Sequence, residues 1–333
     1  ESWLQLLKTV ELWATRKNKP SPDGKISLEH IYEILSLESI KTISQFFEVP
    51  GGYMPPVEEF HKEILERTTK PGCTVISGLP GMGKSTYLSF LTDQLIEKKM
   101  PVIRHHYYLS PHFFGDRINY NNAAQSLQSQ IKSLYPDYFN SDKLDPEKLE
   151  TWVIKAADKA AESGEILVII IDGLDHVYRE RSDISQLAHL VNRLDPLKEK
   201  ICLLYGTQPI SDEYLPNSLL RSAPREKSWI NIPAMGLDVI KKRIDFLVSI
   251  EDIDVVGEDE HQRREIVEVS QALLDISKGY PLHLTYSLNS LKFTGNKISK
   301  YDVKRLPTCP EGDIHEYYEN LWVSLSASAK EIL

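Results

Sequence analysis

Gly78, Gly83, Lys84 and Ser85 stand in the pattern G-x-x-x-x-G-K-S, within the run Gly78-Leu79-Pro80-Gly81-Met82-Gly83-Lys84-Ser85 and just ahead of Thr86. Residues of these types at this spacing can bind a polyphosphate. Glycines let backbone N–H groups turn inward without a Cβ clash, and a helix that follows adds the positive end of its dipole. The Lys84 ammonium reaches the outer phosphates, and the Ser85 hydroxyl is placed to ligate Mg²⁺. The loop thus makes Gly78, Pro80, Gly81, Met82, Gly83, Lys84, Ser85 and Thr86 candidate nucleotide-binding residues. The plain alternative is a Gly/Pro turn before a helix.

A second group lies near the middle of the chain, in Ile166-Leu167-Val168-Ile169-Ile170-Ile171-Asp172-Gly173-Leu174-Asp175. A carboxylate at the carboxyl end of a buried strand points into the crevice where open α/β sheets bind ligands. Asp172 is therefore the candidate partner of Ser85 in holding Mg²⁺, unless it is only a strand-end turn residue. Asp175 could polarise an attacking water, although an acidic residue here is also a plain helix-start feature. Lys84, Asp172 and Asp175 form the candidate catalytic set. A guanine-reading Asn-Lys-x-Asp run is missing, since Asn18-Lys19 and Asn296-Lys297 both lack the final Asp, so ATP/ADP is favoured.

These residues need a parallel sheet to hold them. Apolar runs predict strands at 73–77, 102–109, 166–171, 201–205 and 228–232, separated by helices near 84–98, 121–134, 146–163 and 184–194, with one more at 57–67 ahead of the loop. Strand alternating with helix implies an α/β domain whose five-stranded parallel sheet is covered by helices. After Pro233 the periodicity turns helical over 237–248, 262–276 and 281–291, which reads as a small lid. The expected divisions are a helical lead-in over 1–48, the α/β domain over 49–234, the lid over 235–306 and the start of a truncated further domain over 307–333. Both ends read as cuts in a longer polypeptide.

Bulk properties bound the class. The 333 residues carry a net charge of −9 with 41% hydrophobic and 26% charged residues, an ordinary globular balance that does not suit coating nucleic acid. Cys73, Cys202 and Cys309 form no C-x-x-C pair, and the first two sit in apolar runs, which fits a reducing compartment. No run approaches the roughly 20 apolar residues of a membrane span. A cytoplasmic location without membrane contact is expected. His105, His106 and His112 invite a metal reading, but adjacent histidines on a strand point to opposite faces. Lys241, Lys242 and Arg243 read as the solvated face of a lid helix, and His176 as a helix-surface residue rather than a phosphate contact. Tyr53 or Met54 could pack on a base, or the segment could be a simple linker turn.

The run Asp172-Gly173-Leu174-Asp175 is similar to the extended Walker B motif of the STAND superclass of signal-transduction ATPases, which includes NACHT and NB-ARC proteins. Gly279-Tyr280-Pro281 resembles the G-x-P motif of their lid, whose proline lies against the nucleotide base. Leu203-Leu204-Tyr205-Gly206-Thr207-Gln208-Pro209 occupies the sensor-1 position, so the resemblance makes Gln208 and Pro281 nucleotide contacts. Arg104-His105-His106-Tyr107, Asp172 to His176 and Thr207-Gln208-Pro209 are most like bacterial antiviral (Avs-type) members, and Pro310-Glu311-Gly312 with Tyr317-Tyr318 and Trp322 looks like the entrance to their winged-helix domain. The resemblance implies a nucleotide-controlled switch with slow hydrolysis, homo-oligomer assembly on activation, and a protein trigger, viral in that family, bound by a region outside this chain. Gln208 departs from the arginine that many members carry, because a neutral amide cannot neutralise phosphate charge. Leu219 to Arg225 resembles the arginine-finger region of AAA+ ATPases, so Arg221 or Arg225 is a candidate replacement cation, or else a solvated loop. A cycling AAA+-type motor acting on nucleic acid or protein is the alternative function. A small-molecule phosphotransferase is disfavoured for want of a second phosphate clamp.

Overall fold

The computed structural model describes residues 45, 47–109, 116–139, 142–293 and 297–308. The expected lead-in therefore lies almost wholly outside the described residues, as do His112, Cys309 and nearly all of the expected further domain from 307 on. The major elements in chain order are α1 (Glu58–Thr68), β1 (Gly72–Ser77), α2 (Lys84–Glu97), β2 (Val102–His106), α3 (Tyr120–Leu134), α4 (Leu149–Glu162), β3 (Val168–Asp172), α5 (Leu174–Arg181), α6 (Ser185–Leu194), β4 (Cys202–Thr207) and β5 (Trp229–Asn231). Three lid helices follow: α7 (Leu237–Ser249), α8 (Asp259–Ser277) and α9 (Pro281–Phe293).

The five strands form one sheet in the order β2-β3-β4-β1-β5, and every pairing is parallel. Side-chain alternation divides the core into two layers. Ile169 and Ile171 of β3 join Leu203 and Tyr205 of β4 on the face covered by α3, α4 and α6. Val168 and Ile170 join Cys202 and Leu204 on the face covered by α1 and α2, where Leu88, Leu91 and Leu95 pack. Burying each such side chain contributes about 1.5–3 kcal/mol, so α2 is held firmly against the sheet at the level of the Gly-rich loop. A third apolar cluster, with Ile244, Leu273 and Leu288 among its members, belongs to the lid.

The strands differ from expectation at their ends. β2 stops at His106 instead of reaching Leu109, and β3 starts at Val168 instead of Ile166. β4 instead runs two residues further, to Thr207. Parallel pairing explains this: a strand lasts only as long as its neighbour offers ladder partners, and β2 pairs residue for residue with β3, which ends at Asp172. Cys202 is buried and Cys73 partly so, and burial pushes both thiols up to about 12. Among the described residues, no helix is long and apolar enough to cross a membrane.

Candidate functional site

The register gathers the candidate residues at the carboxyl edge of the sheet. His106 of β2, Asp172 of β3 and Gly206 of β4 are direct ladder partners, and Gly206 pairs in turn with Ile76 of β1, one residue before Ser77. Neighbouring strands lie about 4.8 Å apart, so Asp172 stands two strands from the root of the Gly-rich loop. Gly206 lies between them and presents no side chain. The Asp172 carboxylate extends over it, and a Cβ there would stand 2.2 Å from Asp172 Oδ1.

The loop has the geometry its sequence demands. Gly81 and Gly83 take φ of 80° and 77°, the left-handed region that other residues adopt only under strain. Gly83 caps α2, and among the described residues the N–H groups of Gly81, Gly83, Lys84 and Ser85 take no hydrogen-bond acceptor. Such a row of free donors at a helix N-terminus is an anion cradle. Met82 contributes differently. Its N–H donates to the Leu79 carbonyl at 3.2 Å, and its side chain is buried in the core. The Lys84 ammonium lies 2.7 Å from the carbonyl of Gly78 and 3.0 Å from that of Leu79. Burial lowers its pKa, while Asp172 and Asp175 pull the other way.

Asp172 is 2% exposed. Burial would raise its pKa, but the hydrogen bond from His106, the nearby Ser85 hydroxyl and the Lys84 charge outweigh that and hold it below the usual range. His106 Nδ1 lies 3.1 Å from Asp172 Oδ2, so the imidazole hydrogen on Nδ1 is directed at the carboxylate. His105 turns to the opposite face, with Nε2 at 3.0 Å from the Arg117 carbonyl. The two histidines do not converge on a metal. Ser85 and Asp172, close enough to interact, bring together a hydroxyl and a carboxylate oxygen, the hard donor set that suits Mg²⁺ beside a phosphate cradle.

Asp175 opens α5 and is 3% exposed. Its Oδ1 accepts from the Gln208 N–H at 2.9 Å, and its Oδ2 accepts from Arg179 Nη2 at 2.7 Å. The same Arg179 nitrogen donates to Gln208 Oε1 at 2.9 Å. Arg179 was not singled out by the sequence, although its position one helical turn beyond Asp175 was a readable signal. His176 is not a mere helix-surface residue. It stacks on Tyr108 with ring centroids 4.5 Å apart and lines the cavity, because α5 is amphipathic and this side faces the site.

A cavity of about 500 Å³ joins the loop to the lid. It is lined by Pro80 to Thr86, Asp172, Asp175 and Gln208, by Tyr53 and Met54, by Arg243 and Leu247 of α7, and by Pro281 of α9. Tyr53 also packs on Phe90, with ring centroids 5.0 Å apart. Arg243 departs from the solvated role read from its basic run: it donates to the Gly51 carbonyl and its guanidinium lies over the Phe246 ring. Arg225, one candidate finger, is held within its own chain by Asp212 at 2.5 Å, by the Ile210 carbonyl at 2.7 Å and by the face of Trp229. Arg221 lines a separate groove with Ile184, Asp212 and Asn217.

The lid touches the loop directly. Tyr280 Oη donates to the Pro80 carbonyl at 2.8 Å, and the Leu282 N–H donates to the Gly81 carbonyl at 3.2 Å. Pro281 lies over Gly83, 3.7 Å from where a Cβ would be.

A strand, a left-handed glycine loop with a helix-starting lysine, and a carboxylate two strands away make one arrangement. This is the fold of a P-loop NTPase. A family model described as the N-terminal region of nephrocystin 3 matches residues 58–204, from α1 into β4, which is less than half of the chain. No curated protein sequence matches the chain. Among solved structures, it is similar to a Walker-type ATPase of Pyrococcus abyssi at 17% identity and a TM-score of 0.48, covering 84% of this chain and 79% of that one. The ORC2 protein of Aeropyrum pernix overlaps at 13% identity and a TM-score of 0.45, with 86% and 74% covered. Domain III of the replication initiation protein DnaA of Thermotoga maritima does so at 11% and 0.41, with 76% and 92% covered. Likenesses this distant carry no argument about function, which has to come from the site.

Proposed function

We propose that this chain is the ATP-binding and ATP-hydrolysing module of a STAND-type switch, in which nucleotide joins the sheet domain to the lid. The observation that carries the reading is the bonding of the lid to the phosphate loop itself, through Tyr280 to Pro80 and Leu282 to Gly81. A change in the loop when phosphates enter or leave is thereby transmitted to the lid, which is how a ligand biases two arrangements of one protein.

The residues divide the work. The N–H groups of Gly81, Gly83, Lys84 and Ser85 and the Lys84 ammonium bind the phosphates, with Lys84 leaving the Gly78 and Leu79 carbonyls for a more negative acceptor. Ser85 and Asp172 would hold Mg²⁺, which when bound neutralises phosphate charge. His106 orients the Asp172 carboxylate. Asp175 is the group placed to accept the proton of water as its oxygen bonds the terminal phosphorus and the bond to the departing ADP breaks, the electron pair leaving with ADP. Tyr53 and Met54, which line the cavity, are the candidates to pack on the base, and Pro281, which lies over Gly83, is the candidate nucleotide contact from the lid.

In this reading, exchange of nucleotide controls homo-oligomer assembly, hydrolysis is slow, and a protein trigger acts through parts outside this chain. The resemblance to Avs-type proteins supports a role in antiviral defence. Arg225, tied to Asp212 and Trp229 within its own chain, gives the cycling-motor alternative no support. Steady-state turnover and particle size by light scattering, measured with ATP, with ADP and without nucleotide, test the proposal. Fast turnover with no nucleotide-dependent change in size would sink it.

A further inference from the structure

Asp175 is the candidate base, yet both of its oxygens are engaged. Oδ1 takes the Gln208 N–H at 2.9 Å and Oδ2 takes Arg179 at 2.7 Å. A buried carboxylate with its lone pairs directed at such donors is a poor proton acceptor. One of the two must let go before water can be activated. The Gln208 amide is part of the chain leaving β4 and has little freedom. The Arg179 side chain is 52% exposed, against 4% for Asp175, so it can swing without disturbing the core.

The position of Arg179 gives that movement a cause. It bonds two residues that line the cavity, Asp175 and Gln208, and lies close enough to Lys84 for their charges to interact. Its bond to Gln208 Oε1 shows that the amide at the sensor position presents its oxygen to this guanidinium, so charge absent at residue 208 is supplied from α5. The guanidinium end of this pair lies half in solvent, where its attraction is screened, whereas a terminal phosphate offers more negative charge and oxygens matched to the guanidinium fork.

We propose that Arg179 senses the terminal phosphate within its own chain, holding Asp175 in the resting site and exchanging it for that phosphate when ATP binds, which frees Asp175 Oδ2. This rests on the cavity being an ATP site. It makes Arg179 a specificity residue that distinguishes ATP from ADP, and a positioning residue for Asp175.

Calorimetric titration of the full chain with ADP and with a slowly hydrolysed ATP analogue, both with Mg²⁺, tests the exchange. Arg179→Ala should leave ADP affinity within about twofold and weaken the analogue roughly tenfold, with Arg179→Lys recovering part of the loss. ATP turnover should fall in Arg179→Ala. Equal affinity of variant and wild type for the analogue overturns the inference, as does loss of both nucleotides by the same factor, which marks a structural role. Higher turnover with unchanged analogue affinity also overturns it, because Arg179 would then only lock Asp175. Wild type that binds neither nucleotide instead removes the ATP-site reading, and this inference with it. If Arg179→Ala unfolds below the assay temperature, Arg179→Gln is measured and judged by the same outcomes.

Discussion

Asp172 and Gly206 are cross-strand partners, and the carboxylate of one fills the space a side chain on the other would need: a Cβ at 206 would stand 2.2 Å from Asp172 Oδ1 and 2.6 Å from Leu88 Cδ1. Gly206→Ala must therefore push the carboxylate aside or move α2 off the sheet. Overpacking of this kind costs about 1–3 kcal/mol of stability. Displacing a metal-directed carboxylate should also weaken Mg²⁺-dependent nucleotide binding about 10–100-fold. Chemical denaturation and calorimetry with and without Mg²⁺ check the two effects, and unchanged Mg²⁺ dependence would remove Asp172 from metal binding.

Lys84→Ala deletes the ammonium that now bridges the Gly78 and Leu79 carbonyls. With ATP at 100 times its dissociation constant, the wild type should gain ~2.7 kcal/mol of stability from binding. The variant should show no such gain. Thermal melting across a range of ATP concentrations reads this directly, and an equal shift in both proteins would refute the assignment of Lys84.

Asp175→Asn keeps an oxygen for the Gln208 N–H but cannot take a proton. Nucleotide affinity should stay within a few-fold while turnover drops about 10²–10⁴-fold, the usual range for losing a general base. Phosphate release measured under single-turnover conditions separates binding from chemistry. Unaltered turnover would leave Asp175 with only its structural bonds.

Tyr280→Phe removes the hydroxyl that donates to the Pro80 carbonyl and nothing else of the ring. One such bond is worth about 0.5–1.5 kcal/mol. Its loss should loosen the lid without unfolding the sheet domain. Hydrogen exchange should then quicken at residues 79–83 and 280–284 together, and exchange that quickens in only one of these segments would argue against coupling through this bond.

His105 supplies a pH dependence. Burial holds its pKa down at about 3. The neutral ring is matched to its partners, with Nε2 donating to the Arg117 carbonyl and Nδ1 facing the Gln45 amide nitrogen. In the unfolded chain the group binds a proton near its ordinary 6.5, whereas the folded chain resists it. The stabilisation is therefore complete above that value and is lost progressively as pH falls towards 3, by ~2 kcal/mol on reaching pH 5. Denaturant midpoints for wild type and His105→Phe between pH 8 and 5 test the sign; the variant should lose less stability on acidification.

Much of the site was legible because its signals are local. The loop, its strand and its helix are consecutive in the chain, and Asp172 announces itself at the end of an unbroken apolar run. The five strands and the lid helices followed from periodicity, with shifts at their ends: strands stop where the neighbour ends the pairing, and α8 starts at Asp259 instead of near 262. Arg225 illustrates the opposite case: its basic loop resembled a finger, but Asp212 and Trp229, neither of them marked as partners by spacing, hold it. Arg243 read as part of a solvated run, yet lid docking turns it to Gly51 across 192 residues of chain.

By itself, the order of residues determined a phosphate loop, a parallel sheet and the two carboxylates, since each depends on the chemistry of a short stretch. Only the tertiary structure decided that His106 steadies Asp172, that Gly206 makes room for it, that Arg179 and Gln208 share Asp175, and that Tyr280 ties the lid to Pro80. Those relationships depend on strand order and on how the lid docks. Both are set by burying apolar faces contributed from distant parts of the chain, which no local pattern encodes.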